Sequence, residues 1–418
     1  MVEKRKPIPV SEAIRKVMNQ SIDMKTERIH IEQANGRILA EDVTATHPVP
    51  PFDRSPYDGF AIRSEDSVEA TRDQPVTFTV TETIGAGSVQ SKPVGPYEAA
   101  RIMTGAMLPE ECDAIVMLEL TTEPEPGKMS IKRSFSPGQD VSFKGEDIAH
   151  GATLVQKGTV MNPGIIALLA TFGYEYISVG VRPVVGILAT GSELLEVHEP
   201  LEPGKIRNSN ALMAAAQVER AGAEPRLLGK LTDDPDECFE AVKKSLSEVD
   251  VLITTGGVSV GDFDFLPEVY KRLGADVLFN KIAMRPGSVT TVAYGDGKYL
   301  FGLSGNPSAC YVGFELLTRP VIMTMMGSSK PHHTIEDAIL STDFTKPNPF
   351  TRFVRGKVEI KNGQLYTSPS GFDKSSAVSS LASTDCLIML PGGTRGYQSG
   401  DSVRIVLLES GHGSEWPW

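Results

Sequence analysis

Three apolar runs constrain this chain more than any other feature. VVGILAT, DVLITT and KYLFGL are almost unbroken by polar residues, as in strands buried on both faces of a sheet. Between the first two lie a helical stretch from about Asn210 to Ala221, the short strand RLLGKL and a second helix. That helix has a readable start: Asp234 as N-cap, Pro235 at the first position and Glu237 as capping-box partner. Its apolar face is Cys238, Val242, Leu246 and Val249. Strands alternating with helices require a mostly parallel sheet wrapped by helices. TTVAY and KYLFGL, joined through Gly295-Asp296-Gly297, read as a hairpin, and a long apolar helix begins after Asn306-Pro307.

The flanks follow a different grammar. Val10, Ala13, Ile14, Val17 and Met18 recur at helical spacing, which predicts a helix from Val10 to about Gln20 with Ser11 as an early cap. The loop-rich string HPVPPFDRSPYDGF follows, then β-patterned runs from Val76 to about Ser142. A helix over Pro163 to Phe172 lies between two short β-like segments and could return the chain to the first module. Beyond Pro331, FVRGKVEI, GQLYTSPS, CLIMLP and SVRIVLL predict a small β-barrel or sandwich, and GHGSEWPW a loose tail. The fold class is therefore multidomain α/β plus β. Residues 1–47 and 146–180 read as one helix-bearing module, with a separate β-rich module at 48–145 between them, the α/β module at 181–328 and the β-barrel or sandwich at 329–418.

Composition removes several classes of function. A net charge of -12 argues against nonspecific binding to nucleic acid or to an acidic membrane. The N-terminus lacks the apolar segment of a signal peptide, and the run Ile165 to Ala170 falls far short of the roughly 20 residues of a spanning helix. Cys112, Cys238, Cys310 and Cys386 show no paired spacing, so neither structural zinc nor a disulfide framework is expected and a cytoplasmic location is. A bound metal would take carboxylate oxygens, which favours Mg²⁺.

In an open α/β sheet, ligands sit at the carboxyl ends of the strands. VVGILAT runs into Gly191-Ser192-Glu193. DVLITT runs into Gly256, Gly257, Ser259, Asp262 and Asp264, and KYLFGL into Ser304, Gly305, Asn306 and Pro307. Glycine-rich backbone N–H groups suit phosphate, and Glu193, Asp262 and Asp264 could hold Mg²⁺ against it. The plainer alternative is a set of tight turns with Asp as N-cap. Neither GxxxxGK[ST] nor GxGxxG is present at the first strand, so no Walker or dinucleotide site is expected.

Lys281 and Arg285, four residues apart before Pro286-Gly287, suit an oxyanion, or else are solvated surface charge. Asp233 follows RLLGKL and is freer than the capping Asp234 to bind a metal or ligand. Asp58 and Thr104 sit in turn-forming strings and could serve only the turns. Arg352 and Arg355 flank an apolar strand position, where an edge-strand pair is usually exposed decoration.

PPFDRSPYDGFA, RIMTGAMLPEECDAIVMLE, RPVVGILATGSELLE, KIRNSN, GGVSVGDFD, MRPGS and LSGNPSA follow one another over residues 8 to 408. In kind and order they resemble the signatures of the molybdopterin molybdenumtransferases, and the chain is also similar to the C-terminal domain of gephyrin. The resemblance implies a homodimer in which the inserted module of one protomer closes the site of the other. It implies adenylyl-molybdopterin and molybdate as substrates, with molybdenum cofactor and AMP as products. Asp58 and Thr104 match functional positions of the inserted module. Glu193, Asp233, Asp262 and Asp264 match the acidic catalytic set. Lys281, Arg285, Arg355 and Ser375 match positions that handle the oxyanion. The molybdopterin adenylyltransferase is a candidate partner. The chain departs from the family pattern at Ser288, where lysine is common, at Ser304 and Ser308, at Glu111-Cys112 and at Tyr57. Two other functions remain open on this reading: a gephyrin-like scaffold, and a pterin adenylyltransferase, which residues 182–327 also resemble.

Overall fold

The computed structural model describes residues 6–232, 234–257, 266–347 and 349–408. The chain divides into two compact units, one of residues 1–41, 157–166 and 175–418, the other of residues 42–156 and 167–174.

The first unit is organised by a six-stranded sheet. Its order is Glu224–Leu231, Val184–Thr190, Val251–Thr255, Lys298–Leu303, Thr291–Gly295, Asp276–Phe279. The first four strands run parallel; the last two join as antiparallel neighbours. The apolar runs are buried on both faces, as their lack of alternation requires. Val251 and Ile253 face a core closed by Ala214 and Val218 and by the C-terminal helical run. Leu252 and Leu300 face another, closed by Cys238, Val242 and Tyr270. Each such Leu or Ile contributes about 1.5–3 kcal/mol of burial.

Local chemistry explains most boundaries. The hairpin turns through Asp296 (φ 56°) and Gly297 (φ 74°), the pair of positive angles a two-residue reversal needs. Asp234 caps Pro235–Leu246, accepting from the N–H groups of Asp236 and Glu237 at 2.9 Å each. Glu237 accepts from the Thr232 hydroxyl at 2.8 Å, so its carboxylate ties the preceding loop rather than serving as the expected capping-box partner. The N-terminal helix spans Val10–Met18 with Pro9 as N-cap; Ser11 lies inside the first turn and does not cap. Returning from the second unit, Tyr176–Gly180 pairs antiparallel with Thr26–His30.

The C-terminal strands close into a barrel. Thr351–Lys361, Gln364–Pro369, Ile335–Leu340, Ser402–Leu407 and Cys386–Leu390 hydrogen-bond in a ring, the last pairing back to the first. Arg352 and Arg355 therefore lie on a strand paired on both sides rather than on an edge, and Arg355 is only 2 % exposed. The barrel joins the α/β part through the short strand Met284–Arg285, whose Arg285 stands opposite Arg352.

In the second unit a six-stranded sheet runs Ala114–Met117, Gly59–Ile62, Glu98–Ile102, Val76–Ile84, Lys128–Ile131, Thr121–Thr122. It packs around Phe78, Val116 and Ile131. No helix among the described residues is long and apolar enough to cross a membrane.

Candidate active site

The chain leaves Val184–Thr190 for a neighbour on one side, Glu224–Leu231, and then crosses to Val251–Thr255 on the other. That reversal opens a crevice beyond the strand ends, the position at which open α/β sheets bind ligands. The described starts of the three loops read from the sequence converge there. Thr190 Oγ1 donates to the Thr255 carbonyl at 3.2 Å, and Gly256 N–H to the Leu303 carbonyl at 2.9 Å. Gly256 has φ +99°, and a Cβ on it would lie 2.5 Å from Thr190 Oγ1. Gly305 approaches so closely that an added Cβ would meet Gly256 Cα at 3.6 Å.

A cavity of about 80 Å³ lies at this junction, lined by Thr190, Glu193, Asn210, Thr255, Gly305 and Pro307. Asn210 is 9 % exposed. Its Nδ2 donates to the Gly305 carbonyl at 2.7 Å, while its Oδ1 has no partner among the described residues. A buried amide oxygen without a donor costs about 1–3 kcal/mol, which a ligand, a cation or a water would recover. Sequence reasoning passed over Asn210. It stood in the string KIRNSN, but only the folded neighbourhood reveals the orphaned acceptor. Asp233, Ser259, Asp262 and Asp264 lie outside the described residues. Among those described, no three His, Cys, Asp or Glu side chains gather as a metal cluster.

A larger cleft, about 410 Å³, opens beside this crevice between the α/β part and the barrel. Arg285, Ser288, Ser304 and Asn306 line one wall; Arg352, Arg355, Lys374, Ser375 and Ser376 line the other. Lys281 does not line it; its backbone carbonyl accepts from Ile8 N–H at 3.2 Å. Among the described residues, four cations against the one carboxylate of Asp373 make this a positive pocket in a chain of net charge -12.

The barrel wall is built around Arg355. Its Nε donates to Ser380 Oγ at 3.3 Å, its Nη1 to Asp373 Oδ1 at 3.2 Å, and its Nη2 to the carbonyls of Phe372 and Lys374 at 3.1 and 3.3 Å. Burial pulls the Arg355 pKa down, and the adjacent Asp373 carboxylate opposes that pull. Its donors thus hold the loop that presents Lys374, Ser375 and Ser376. Two further bonds sew this loop to the helix after Pro307: Ser308 N–H to the Ser375 carbonyl at 3.0 Å and Ser308 Oγ to the Ala377 carbonyl at 2.6 Å.

The second unit carries its own pairing. Asp58 Oδ1 accepts from Thr104 N–H and from Thr104 Oγ1, both at 2.7 Å. These bonds hold the exposed Asp58 carboxyl below the usual carboxylate range, with Arg101 adding a smaller pull. Gly59 follows because any Cβ there would run into the Val116 carbonyl of the adjacent strand.

Known proteins share this architecture. Residues 8–173 match the MoeA N-terminal region (domain I and II), residues 186–324 a probable molybdopterin binding domain, and residues 337–408 the MoeA C-terminal region (domain IV). The chain is 58% identical to a molybdopterin molybdenumtransferase of Bacillus subtilis, over 100% of this chain and 98% of that one. It is 52% identical to the enzyme of that name from Staphylococcus aureus, over 98% of each. The crystal structure of a molybdopterin biosynthesis moeA protein from Pyrococcus horikoshii superposes with a TM-score of 0.83 at 31% identity, covering 96% of this chain and 100% of that one. With all three regions matched in order and identity this high along the whole chain, the protein belongs to the molybdopterin molybdenumtransferase family.

Proposed function

We infer that this chain inserts molybdenum into molybdopterin, with adenylyl-molybdopterin and molybdate as substrates and molybdenum cofactor and AMP as products. The observation that carries this reading is the adjacency of two unlike pockets. The switch-point crevice offers glycine-rich backbone and oxygen acceptors, and the cleft beside it offers cations and hydroxyls. The first suits a phosphoanhydride held through a cation, the second a tetrahedral oxyanion.

The donor set fits Mg²⁺, since the free Asn210 Oδ1 and the Glu193 carboxylate are hard oxygens. Glu193 and Asn210 would hold the ion, with Asp262 and Asp264 on the adjoining loop. Once bound, it would supply charge stabilisation at the phosphoanhydride. The chain's own groups do the rest. The glycine-rich backbone at Gly257 orients the phosphates. Arg285 with the hydroxyls of Ser288, Ser304 and Ser375 positions the oxyanion beside the pterin's two sulfurs. The two thiols give their protons to one departing oxo group, which leaves as water. One water is consumed as the anhydride splits, and AMP departs. Asp58 and Thr104 serve this reaction from the inserted module, and the working assembly is a homodimer supplied by a molybdopterin adenylyltransferase.

The test is incubation of the purified protein with adenylyl-molybdopterin, Mg²⁺ and molybdate. AMP release that depends on molybdate supports the reading. ATP-dependent adenylation of molybdopterin without such release would replace it with the adenylyltransferase reaction. Sedimentation velocity tests the dimer.

A further inference from the structure

We propose that Lys374 is a specificity-determining cation of the cleft, acting with Arg285 to select a doubly charged tetrahedral oxyanion. This rests on the reading of the cleft as the oxyanion site.

The four cations of the cleft differ in what they already hold. Arg352 and Arg355 share Asp373, at 2.6 and 3.2 Å, and Lys346 reaches the same carboxylate at 3.3 Å. Asp373 is thus surrounded, and the arginines that surround it shape the loop. Arg285 and Lys374 have no carboxylate partner among the described residues, and both are exposed and line the cleft. The Lys374 ammonium stands 5.1 Å from the centre of the Phe372 ring, a contact that leaves its charge uncancelled.

The backbone beneath Lys374 is held on both sides. Its carbonyl accepts from Arg355 Nη2, and the next residue's carbonyl accepts from Ser308 N–H. An incoming anion therefore orders only the lysine side chain, at a cost of at most about 2 kcal/mol. Two uncancelled cations sharing one cleft with Ser288, Ser304, Ser375 and Ser376 suit a dianion carrying four oxygens. A monoanion of the same shape satisfies the hydroxyls equally but gains less from the second charge.

Calorimetric titration of the full-length protein at fixed ionic strength tests this, using molybdate and the tetrahedral monoanion perchlorate as probes. The proteins are wild type, Lys374→Gln, Lys374→Arg, Arg285→Gln and the helix-surface control Lys244→Gln. Lys374→Gln is expected to weaken molybdate about fivefold, the upper range for an exposed pair, and perchlorate less than about twofold. Lys374→Arg should restore molybdate binding. The molybdate concentration for half-maximal AMP release should move in parallel. If Arg285→Gln weakens molybdate while Lys374→Gln matches the Lys244→Gln control, this inference falls and the cleft assignment stands. If neither variant departs from the control, both fall.

Discussion

Asp58 and Thr104 are 46 residues apart in sequence and meet through two 2.7 Å hydrogen bonds to one carboxylate oxygen. Each sits in a turn that could have existed for the turn alone. Their meeting holds an exposed carboxylate in place and favours its ionised form.

Removing one of those donors should show in titration. Thr104→Val keeps the backbone N–H and loses the hydroxyl, so the Asp58 pKa should rise toward the ordinary aspartate value. The sign for stability follows. A depressed folded pKa gives a contribution present above the unfolded value of about 3.9 and lost as pH falls through the folded one. Carboxyl-carbon NMR titration of wild type and variant reads the shift directly. An unchanged Asp58 titration would mean the hydroxyl bond does not persist in solution.

Glu315 is a carboxylate only 1 % exposed, on the π-helical segment Phe314–Thr318. It binds Arg220, Gln217 at 2.6 Å and His333 at 2.7 Å. Burial raises its pKa, but these partners outweigh that and hold it below the usual range. Glu315→Ala leaves the other side chains without their acceptor and should cost about 3 kcal/mol. Urea unfolding at neutral pH measures it. The wild-type advantage should shrink as pH falls below the unfolded glutamate value of about 4.3, because the depressed group is then protonated first in the unfolded chain.

Gly256 should tolerate no side chain. At φ +99°, with Thr190 Oγ1 2.5 Å from the position of a Cβ, alanine combines backbone strain with a clash. Gly256→Ala is expected to cost about 1–3 kcal/mol in stability and to reduce AMP release at least tenfold. Gly204→Ala, with positive φ but nothing within 4 Å of the added carbon, should show the strain without the loss of turnover. Equal turnover in the two variants would count against a ligand role for the Gly256 loop.

The acidic loop and the orphaned amide make a joint prediction. Asp262→Asn or Asp264→Asn should slow AMP release about a hundredfold, and Asn210→Leu about tenfold, with Mg²⁺ binding weakened in each. Mg²⁺ titrations followed by calorimetry on the unliganded protein separate metal loss from general damage. Normal Mg²⁺ affinity in all three would remove them as ligands.

Ser288 faces the cleft where a second lysine is common in the family pattern. Ser288→Lys should lower the molybdate concentration needed for half-maximal AMP release, since a further cation strengthens a charge-assisted contact. An unchanged or higher requirement would show that the wild-type cleft is already saturated with positive charge.

The sequence by itself determined which segments are strands and helices, because burial on both faces leaves unbroken apolar runs and capping chemistry is local. Val184–Thr190, the Asp234 cap and the Asp296-Gly297 turn were legible for that reason, and so was the family, from ordered strings along the chain. Placement at the site was less so. Arg285 and Lys281 read alike as cations four residues apart, yet pairing between Met284–Arg285 and Thr351–Lys361 puts only Arg285 at the cleft. Arg355 matched an oxyanion position by resemblance, but its own strand pattern read as edge decoration, because barrel closure joins strands distant in sequence and closure alone buries it against Asp373. Asn210 gave no local sign of an unpartnered oxygen. Whether a polar atom is satisfied depends on every neighbour that reaches it, and only the tertiary structure decides those.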